Sequence, residues 1–253
     1  MAHLSTDDGC RLWTAVTGDG PPLVLVHGGP GWWDVFGDLQ LPGFTLYRWD
    51  QRGCGRSERR GPYTLDRFVA DLESIRQSTR HEKVVLLGHS WGAALALQYA
   101  GTHLDHLSHL ILVSSTGLDG PHPSYRQRVA EILAREPSDD PWIARISTGF
   151  ADRATALAQA RRLNTPRFTP NHECAEALRT NLRTLPNRHA TSRAIAVPTL
   201  LVHGANDLRP PEVTDTLLHA LPNAERVVLD NVAHYPWVED PDGFQKAVRA
   251  FIS

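Results

Sequence analysis

A serine between two glycines, in the segment LLGHSWGAALALQYA (residues 86–100), is the first candidate for chemistry in this sequence. The pattern Gly-x-Ser-x-Gly places Ser90 between Gly88 and Gly92, after a strand-like run and before a helix-like run. A strand-to-helix turn that projects a serine brings backbones so close that both glycine positions must lack side chains. A plain strand-to-helix turn would carry the same glycines, so a nucleophile is indicated only if its partners exist elsewhere.

Such partners follow two predicted strands near the end of the chain. A serine hydroxyl becomes a nucleophile when a histidine takes its proton and a carboxylate holds that histidine. LLVHGANDLRPP places Asp207 just after one strand, and LDNVAHYPW places His234 in the loop after the next. Asp230 is an alternative acid, but it lies four residues before His234, where it is predicted to end a strand. We therefore predict that Ser90, Asp207 and His234 act together.

The second part of such a site is a pair of N–H groups that stabilise the oxyanion of the intermediate. One donor is expected from the residue after the serine, Trp91, and the other from an early loop. HGGPG at residues 27–31 fits that loop, with Gly29 as the predicted donor and Gly28 as the second choice. A glycine-rich turn with a structural His27 would have the same sequence.

Apolar runs that alternate with helical patterns indicate the elements that hold these residues. Strands are predicted for PPLVLVHGG, FTLYRWDQRG, KVVLLGHS, HLILVSS, VPTLLVHG and ERVVLD. Helices are predicted after Thr64 as an N-cap, after Ser90, and from Asp240 to the end of the chain. Apolar strands that alternate with helices are typical of an α/β fold with a mostly parallel sheet covered on both faces.

Residues 117–197 break this alternation with helical patterns and no predicted strand. The patterns lie around Tyr125–Arg135, Trp142–Phe150, Ala154–Leu163 and Glu173–Leu185. We predict one core, formed by residues 1–116 and 198–253, and a helical cap formed by residues 117–197. The cap should lie over the carboxyl ends of the strands, where open α/β sheets bind ligands.

Composition argues against several classes of protein. The chain has 253 residues, 41% hydrophobic and 21% charged, and a formal net charge of −2 without a basic, aromatic-rich cluster. This argues against nucleic acid as a partner. Without a leader-like start or an apolar run of about 18 residues, we expect a cytoplasmic protein that makes no membrane contact. Cys10, Cys54 and Cys174 are expected to be free thiols.

The motifs HGGPG, DQRGCGRS and GHSWG together resemble the proline iminopeptidase branch of the α/β-hydrolase superfamily. The resemblance covers the predicted core and implies Ser90, Asp207 and His234 as a catalytic triad. It further implies no metal or organic cofactor and a small-molecule or short-peptide substrate.

The second of these motifs carries three charged residues, Asp50, Arg52 and Arg56. The resemblance implies that they form an ion-paired structural loop beside the oxyanion strand.

The sequence also departs from that branch in ways that concern the substrate. His89 stands where the peptidases usually have glycine, and Trp32 and Trp33 follow HGGPG where small residues are usual. The two tryptophans are therefore candidate substrate contacts. The peptidases hold the free amine of the substrate with carboxylates of the cap, and Glu173 and Glu176 are the candidates for that role here.

The charge of the predicted cap points the other way. Residues 117–197 contain 12 arginines and 8 acidic residues, a net charge of +4, whereas the rest of the chain carries −6. If these arginines are not simply solvated or paired locally, the cap favours neutral or anionic substrates over a cationic amine.

The sequence thus predicts a serine hydrolase that cleaves an amide or ester through an acyl-enzyme, similar to proline iminopeptidases. A carboxylesterase or a natural-product tailoring hydrolase is the alternative within the same chemistry. A lyase, a cofactor-free haloperoxidase or a ligand-binding receptor is the alternative from another class.

Overall fold

A single eight-stranded sheet forms the centre of the molecule in the computed structural model, which describes residues 2–120 and 122–252. The strands are β1 (Ala2–Ser5), β2 (Arg11–Gly18), β3 (Pro22–Val26), β4 (Thr45–Trp49), β5 (Val84–His89), β6 (Leu107–Val113), β7 (Thr199–Gly204) and β8 (Ala224–Leu229). Their spatial order is β1-β2-β4-β3-β5-β6-β7-β8. The pairs β1–β2 and β2–β4 are antiparallel and the other five are parallel, so the prediction of a mostly parallel α/β sheet is confirmed.

The central strands have largely apolar sequences, which is why they lie in the buried middle of the sheet. Every residue of β3, β5 and β7 is buried, because helices or loops cover both faces of the sheet there. Strand β8 lies at the sheet edge and is only half-buried. The most buried strands are therefore the ones whose carboxyl ends lie beside the predicted site.

Ten α-helices lie within the described residues. They are α1 (Leu65–Ser78), α2 (Trp91–Thr102), α3 (Tyr125–Arg135), α4 (Pro141–Ser147), α5 (Ala156–Leu163), α6 (His172–Thr184), α7 (Arg188–Arg193), α8 (Asp215–Ala220), α9 (Pro236–Glu239) and α10 (Pro241–Ile252). Helices α1, α2 and α8 pack into the apolar core on one face of the sheet, and α4, α5 and α10 into the core on the other.

The predicted starts of two helices agree with the structure. The Thr64 side chain accepts a hydrogen bond from the Arg67 N–H at 3.3 Å and so caps α1. Asp240 precedes α10, and its carboxylate accepts a bond from the Gly243 N–H at 3.0 Å. In both places a short polar side chain satisfies a backbone donor that the helix itself leaves free.

Five helices, α3 to α7, connect β6 to β7, one more than the sequence patterns predicted. The additional helix α7 is only six residues long, and its sequence RHATSR has no apolar period. It contacts α2 and α8 on the body of the molecule. The sequence also gave no prediction for β1, β2 and α8. Strand β1 is short and mostly exposed, so it lacks the apolar run that marks the central strands.

The helices of the described residues include none that is long and apolar enough to cross a membrane.

Candidate active site

The turn between β5 and α2 carries Ser90 in a strained backbone conformation. Its φ is 56° and its ψ is −114°, outside the regions that side-chain-bearing residues normally occupy. A Cβ at Gly88 would overlap the backbone of Gly92, and a Cβ at Gly92 would overlap the carbonyl oxygen of Val26. The close approach inferred from the Gly-x-Ser-x-Gly pattern is therefore present, and it requires glycine at both positions.

Ser90 lies at the carboxyl edge of the sheet, with 9% of its surface exposed. Its N–H donates to the Val113 carbonyl at the end of β6, which holds the turn against the neighbouring strand. Among the described residues, the Ser90 hydroxyl makes no hydrogen bond and its Oγ is not bonded to His234. Catalytic hydrogen bonds of this kind often tighten only when substrate binds.

Asp207 and His234 meet in the loops that follow β7 and β8. His234 Nδ1 lies 2.6 Å from Asp207 Oδ2, and the Arg209 N–H donates to Asp207 Oδ1 at 3.0 Å. Burial alone would raise the pKa of Asp207, but the charge and hydrogen bond of His234 hold it below its usual range. The carboxylate therefore accepts a hydrogen bond from Nδ1–H, which leaves Nε2 of His234 unprotonated in the neutral ring. Asp230, the alternative acid, is exposed after β8.

Glu239 fixes the loop that carries His234. Its Oε1 accepts bonds from the N–H groups of Ala233 and Tyr235 at 3.1 Å, and its Oε2 accepts from Ala151 N–H at 2.7 Å. The His234 N–H itself donates to the carbonyl of Gly149 at 2.8 Å. The segment after α4 is thus bonded directly to the histidine loop.

The HGGPG loop is oriented by His27, which is fully buried. Its Nδ1 lies 2.7 Å from the Gly28 carbonyl, and its Nε2 accepts the Gln51 N–H at 3.0 Å. These two bonds require a neutral ring with the proton on Nδ1, and burial lowers the pKa of His27 accordingly. Because a trans peptide directs its N–H opposite to its carbonyl, the Gly29 N–H points away from His27. Gly29 is also half-buried whereas Gly28 is buried, which favours Gly29 as the accessible donor.

Gln51 connects His27 of the HGGPG loop to the side chain of Trp91, and the sequence did not indicate this role. Besides its bond to the His27 ring, its Nε2 donates to the His27 carbonyl at 2.8 Å, and its Oε1 accepts from Trp91 Nε1 at 3.2 Å. Trp91 is the first residue of α2, where a backbone N–H has no partner within the helix. A polar residue two positions after β4, within the DQRGCGRS motif, was the only signal in the sequence.

The charged residues of DQRGCGRS are ion-paired. Asp50 binds the Arg56 guanidinium at 2.6 Å, and Arg52 binds Asp71 at 2.8 Å with both side chains fully buried. Asp50 also accepts the Asp34 N–H at 2.7 Å. These bonds fix the loop after β4 to Asp71 of α1 and to the segment around Asp34, as a structural role requires.

The two tryptophans after HGGPG differ in position. Trp33 is 2% exposed, and its Nε1 donates to the Leu163 carbonyl at 3.2 Å, so it packs α5 against the core. Trp32 is half-buried, stacks on Trp33 and meets Trp142 of α4 edge-on at 5.7 Å between ring centroids. Only Trp32 is therefore available to a ligand.

Glu173 and Glu176 are both exposed on α6. Glu176 pairs with Arg183 at 3.2 Å and approaches Arg179 at 4.0 Å. Neither glutamate bonds to Ser90 or to His234.

Three carboxylates around Arg52 of the DQRGCGRS motif have the spacing of metal ligands. Oxygens of Asp7, Asp8 and Asp71 lie within 4.8 Å of one another. However, Arg52 binds Asp8 and Asp71, and Arg67 binds Asp7, so each of the three carboxylates is already paired with an arginine.

The chain is similar to known proteins along nearly its whole length. A family model described as alpha/beta hydrolase fold matches residues 21–241. A proline iminopeptidase from Heyndrickxia coagulans is 28% identical over 93% of this chain and 92% of its own. The solved structure of a thermophilic esterase from Thermogutta terrifontis has a TM-score of 0.76 at 26% identity, covering 99% of this chain and 97% of the other. A proline iminopeptidase structure from Mycobacterium smegmatis has a TM-score of 0.67 at 20% identity, with coverage of 99% and 97%.

Proposed function

Because the chain belongs to the alpha/beta hydrolase fold family and resembles its proline iminopeptidases in sequence, we propose that it is a serine hydrolase acting through an acyl-enzyme. The observation that carries the proposal is the 2.6 Å bond between His234 and Asp207 at the sheet edge that also presents Ser90 on a strained turn. This combination supplies a nucleophile, a base and an acid that fixes the tautomer of the base.

The reaction begins when His234 Nε2 removes the proton of the Ser90 hydroxyl and Oγ attacks the substrate carbonyl carbon. The carbonyl oxygen becomes negatively charged and is stabilised by the N–H groups of Gly29 and Trp91. Collapse of this intermediate breaks the bond to the amine or alcohol, which leaves with the proton held by His234. A water molecule, deprotonated by the same histidine, then attacks the acyl-enzyme and releases the acid.

Peptides with an N-terminal proline, the substrates of proline iminopeptidases, are supported by the sequence similarity to that group. The second candidate is a carboxylesterase, which two observations favour. Glu173 and Glu176 are exposed, with Glu176 paired to arginines, so they offer no cleft for a free amine. His89 and the Trp32–Trp33 pair replace the small residues that the peptidases usually have.

Incubation with a fluorophosphonate, followed by intact mass and peptide mapping, tests the chemistry directly. A single adduct on the peptide that contains Ser90 is expected, because only an activated serine attacks the reagent. Turnover of aryl esters or aminoacyl anilides by the same preparation then defines the substrate class. Absence of an adduct under conditions where the protein is folded would overturn the proposal and leave a binding protein on this fold.

A further inference from the structure

Two arginines lie close to the ring of Tyr125, the first residue of α3. The guanidinium carbon of Arg209, in the loop after β7, lies 3.9 Å from the centroid of the Tyr125 ring. The guanidinium of Arg145, on α4, lies 5.4 Å from the same centroid, and its Nη2 donates to the Tyr125 hydroxyl at 2.9 Å. Three separate segments thus hold two positive charges close together.

Carboxylates compensate the charges of this pair only in part. Arg145 forms no ion pair within residues 2–120 and 122–252. The nearest carboxylate oxygen to Arg209 is Asp207 Oδ1 at 3.8 Å, and that carboxylate already binds His234. The Arg209 side chain is only 12% exposed, and its Nε is buried without a hydrogen-bond partner. Buried cationic groups that lack an acceptor are costly unless an anion joins them.

The pair lies beside the predicted base. Arg209 lies two residues after Asp207. Arg145 lies four residues before Gly149, and the Gly149 carbonyl accepts the His234 N–H. Burial raises the pKa of Tyr235, the residue after the histidine, and the charges of Arg209 and Arg145 oppose that rise. A group bound between the arginines would therefore lie next to the loop that carries His234.

We propose that Arg145 and Arg209, spaced by Tyr125, form a subsite that binds a carboxylate of the substrate. The inference rests on the proposed hydrolase function and specifies its substrate class as esters or amides that carry an acidic group. A guanidinium offers planar paired donors that match a carboxylate. Because the Tyr125 hydroxyl accepts from Arg145, its own proton remains available to the same ligand.

Two esters of equal length test the subsite. The mono-para-nitrophenyl ester of glutarate carries a carboxylate where para-nitrophenyl pentanoate carries a methyl group. The wild-type protein is expected to favour the glutarate ester in kcat/KM by about tenfold, the size expected for one charged hydrogen bond. Arg145→Gln should bring the two kcat/KM values close together, mainly by raising KM for the glutarate ester. Arg126→Gln removes an exposed arginine from α3, the helix that carries Tyr125, and should leave the ratio of the two kcat/KM values unchanged.

Binding of free glutarate, measured by calorimetry, tests the subsite without turnover. We expect weaker binding by about tenfold in Arg145→Gln and no change in Arg126→Gln. Equal kcat/KM for the two esters, or glutarate binding that does not depend on Arg145, overturns the subsite even if the hydrolase is active. Failure of the proposed function is seen separately, as the absence of a fluorophosphonate adduct, and glutarate binding then still decides the subsite.

Discussion

His89 Nε2 donates a hydrogen bond to the main-chain carbonyl of His234 over 2.9 Å. A carbonyl can only accept, so the proton of the His89 ring is on Nε2. Burial, reinforced by the nearby His234, lowers the pKa of His89 well below its usual value, which keeps this ring neutral. The residue before the predicted nucleophile therefore holds the backbone of the predicted base.

Replacing His89 should impair turnover through the position of His234. In His89→Gly, the substitution that restores the glycine usual in the peptidases, we expect kcat to fall about tenfold and the free energy of unfolding to fall by about 1–3 kcal/mol. His89→Gln retains a donor and should recover part of kcat. Steady-state kinetics and urea unfolding measure both effects. Wild-type kcat in both variants would show that the bond does not position the histidine.

Ser90→Ala should abolish turnover and leave the fold intact. The hydroxyl makes no hydrogen bond among the described residues, so its loss removes chemistry and little stability. Loss of the nucleophilic serine in a serine protease lowers kcat by about 10⁶-fold. The measurement is the turnover of an aryl ester together with the thermal midpoint. Ser74→Ala, which removes a hydroxyl bonded only to the Ala70 carbonyl on α1, is the control. More than a few per cent of wild-type activity would exclude Ser90 as the nucleophile.

Gly92→Ala tests the tightness of the turn. Its Cβ would overlap the backbone carbonyl oxygens of Val26 and His27, which cannot move without disturbing β3. We expect a loss of at least about 1–3 kcal/mol in the free energy of unfolding, the usual cost of overpacking. Gly37→Ala is the matched control, since its Cβ would meet only Arg48 at an ordinary 3.5 Å. Equal unfolding midpoints for the two variants would contradict this account of the Gly-x-Ser-x-Gly pattern.

The meeting of Asp207 and His234 could be predicted because it depends on the order of strands alone. Parallel strands end at one edge of the sheet, so residues that follow them converge whatever their separation in the chain. The roles of Gln51, His89 and Arg209 could not be predicted. Each depends on which way a side chain turns and on a partner from a distant segment, and no local period encodes either.

The secondary structure divides in the same way. Strands β3, β5 and β7 were predictable because continuous apolar runs mark strands that are buried on both faces. Strand β1 and helix α7 have no such run. Strand β1 is held by pairing with β2, and α7 is held by contacts with α2 and α8. Tertiary contacts, rather than local sequence, determine these two elements.

Mild acid should destabilise the protein through its buried histidines. Burial lowers the pKa of His27, His89 and His203 in the folded state. Above about pH 6.5 these rings are neutral in the folded and the unfolded state, so they do not reduce the free energy of unfolding there. Below that pH the unfolded chain binds protons that the folded protein does not, and stability falls by up to about 1.4 kcal/mol per pH unit for each histidine.

His203→Gln isolates one of these contributions. Burial raises the pKa of Glu239 and Asp71, which opposes the effect, so the slope difference between proteins is the informative quantity. Urea unfolding between pH 7 and about pH 5.5 should give a smaller loss of stability in His203→Gln than in the wild type. Replacing the exposed His219 by Gln should leave the slope as it is. Identical slopes in His203→Gln and the wild type would contradict the assignment.

The last prediction concerns the charge that the substrate presents to the predicted cap. Arg145 and Arg209 lie beside the His234 loop, whereas Glu176 is exposed and paired with Arg183. A positive field near the base disfavours a cationic amine, and salt should weaken the effect because the screening length is only about 8–10 Å near physiological ionic strength. We therefore expect N-acetylprolyl para-nitroanilide to have a higher kcat/KM than prolyl para-nitroanilide, with a ratio that declines as salt is added. Glu176→Gln should not change that ratio. A strong preference for the free amine that disappears in Glu176→Gln would contradict this prediction. It would support an aminopeptidase in which the Glu176 carboxylate binds the amine of the substrate.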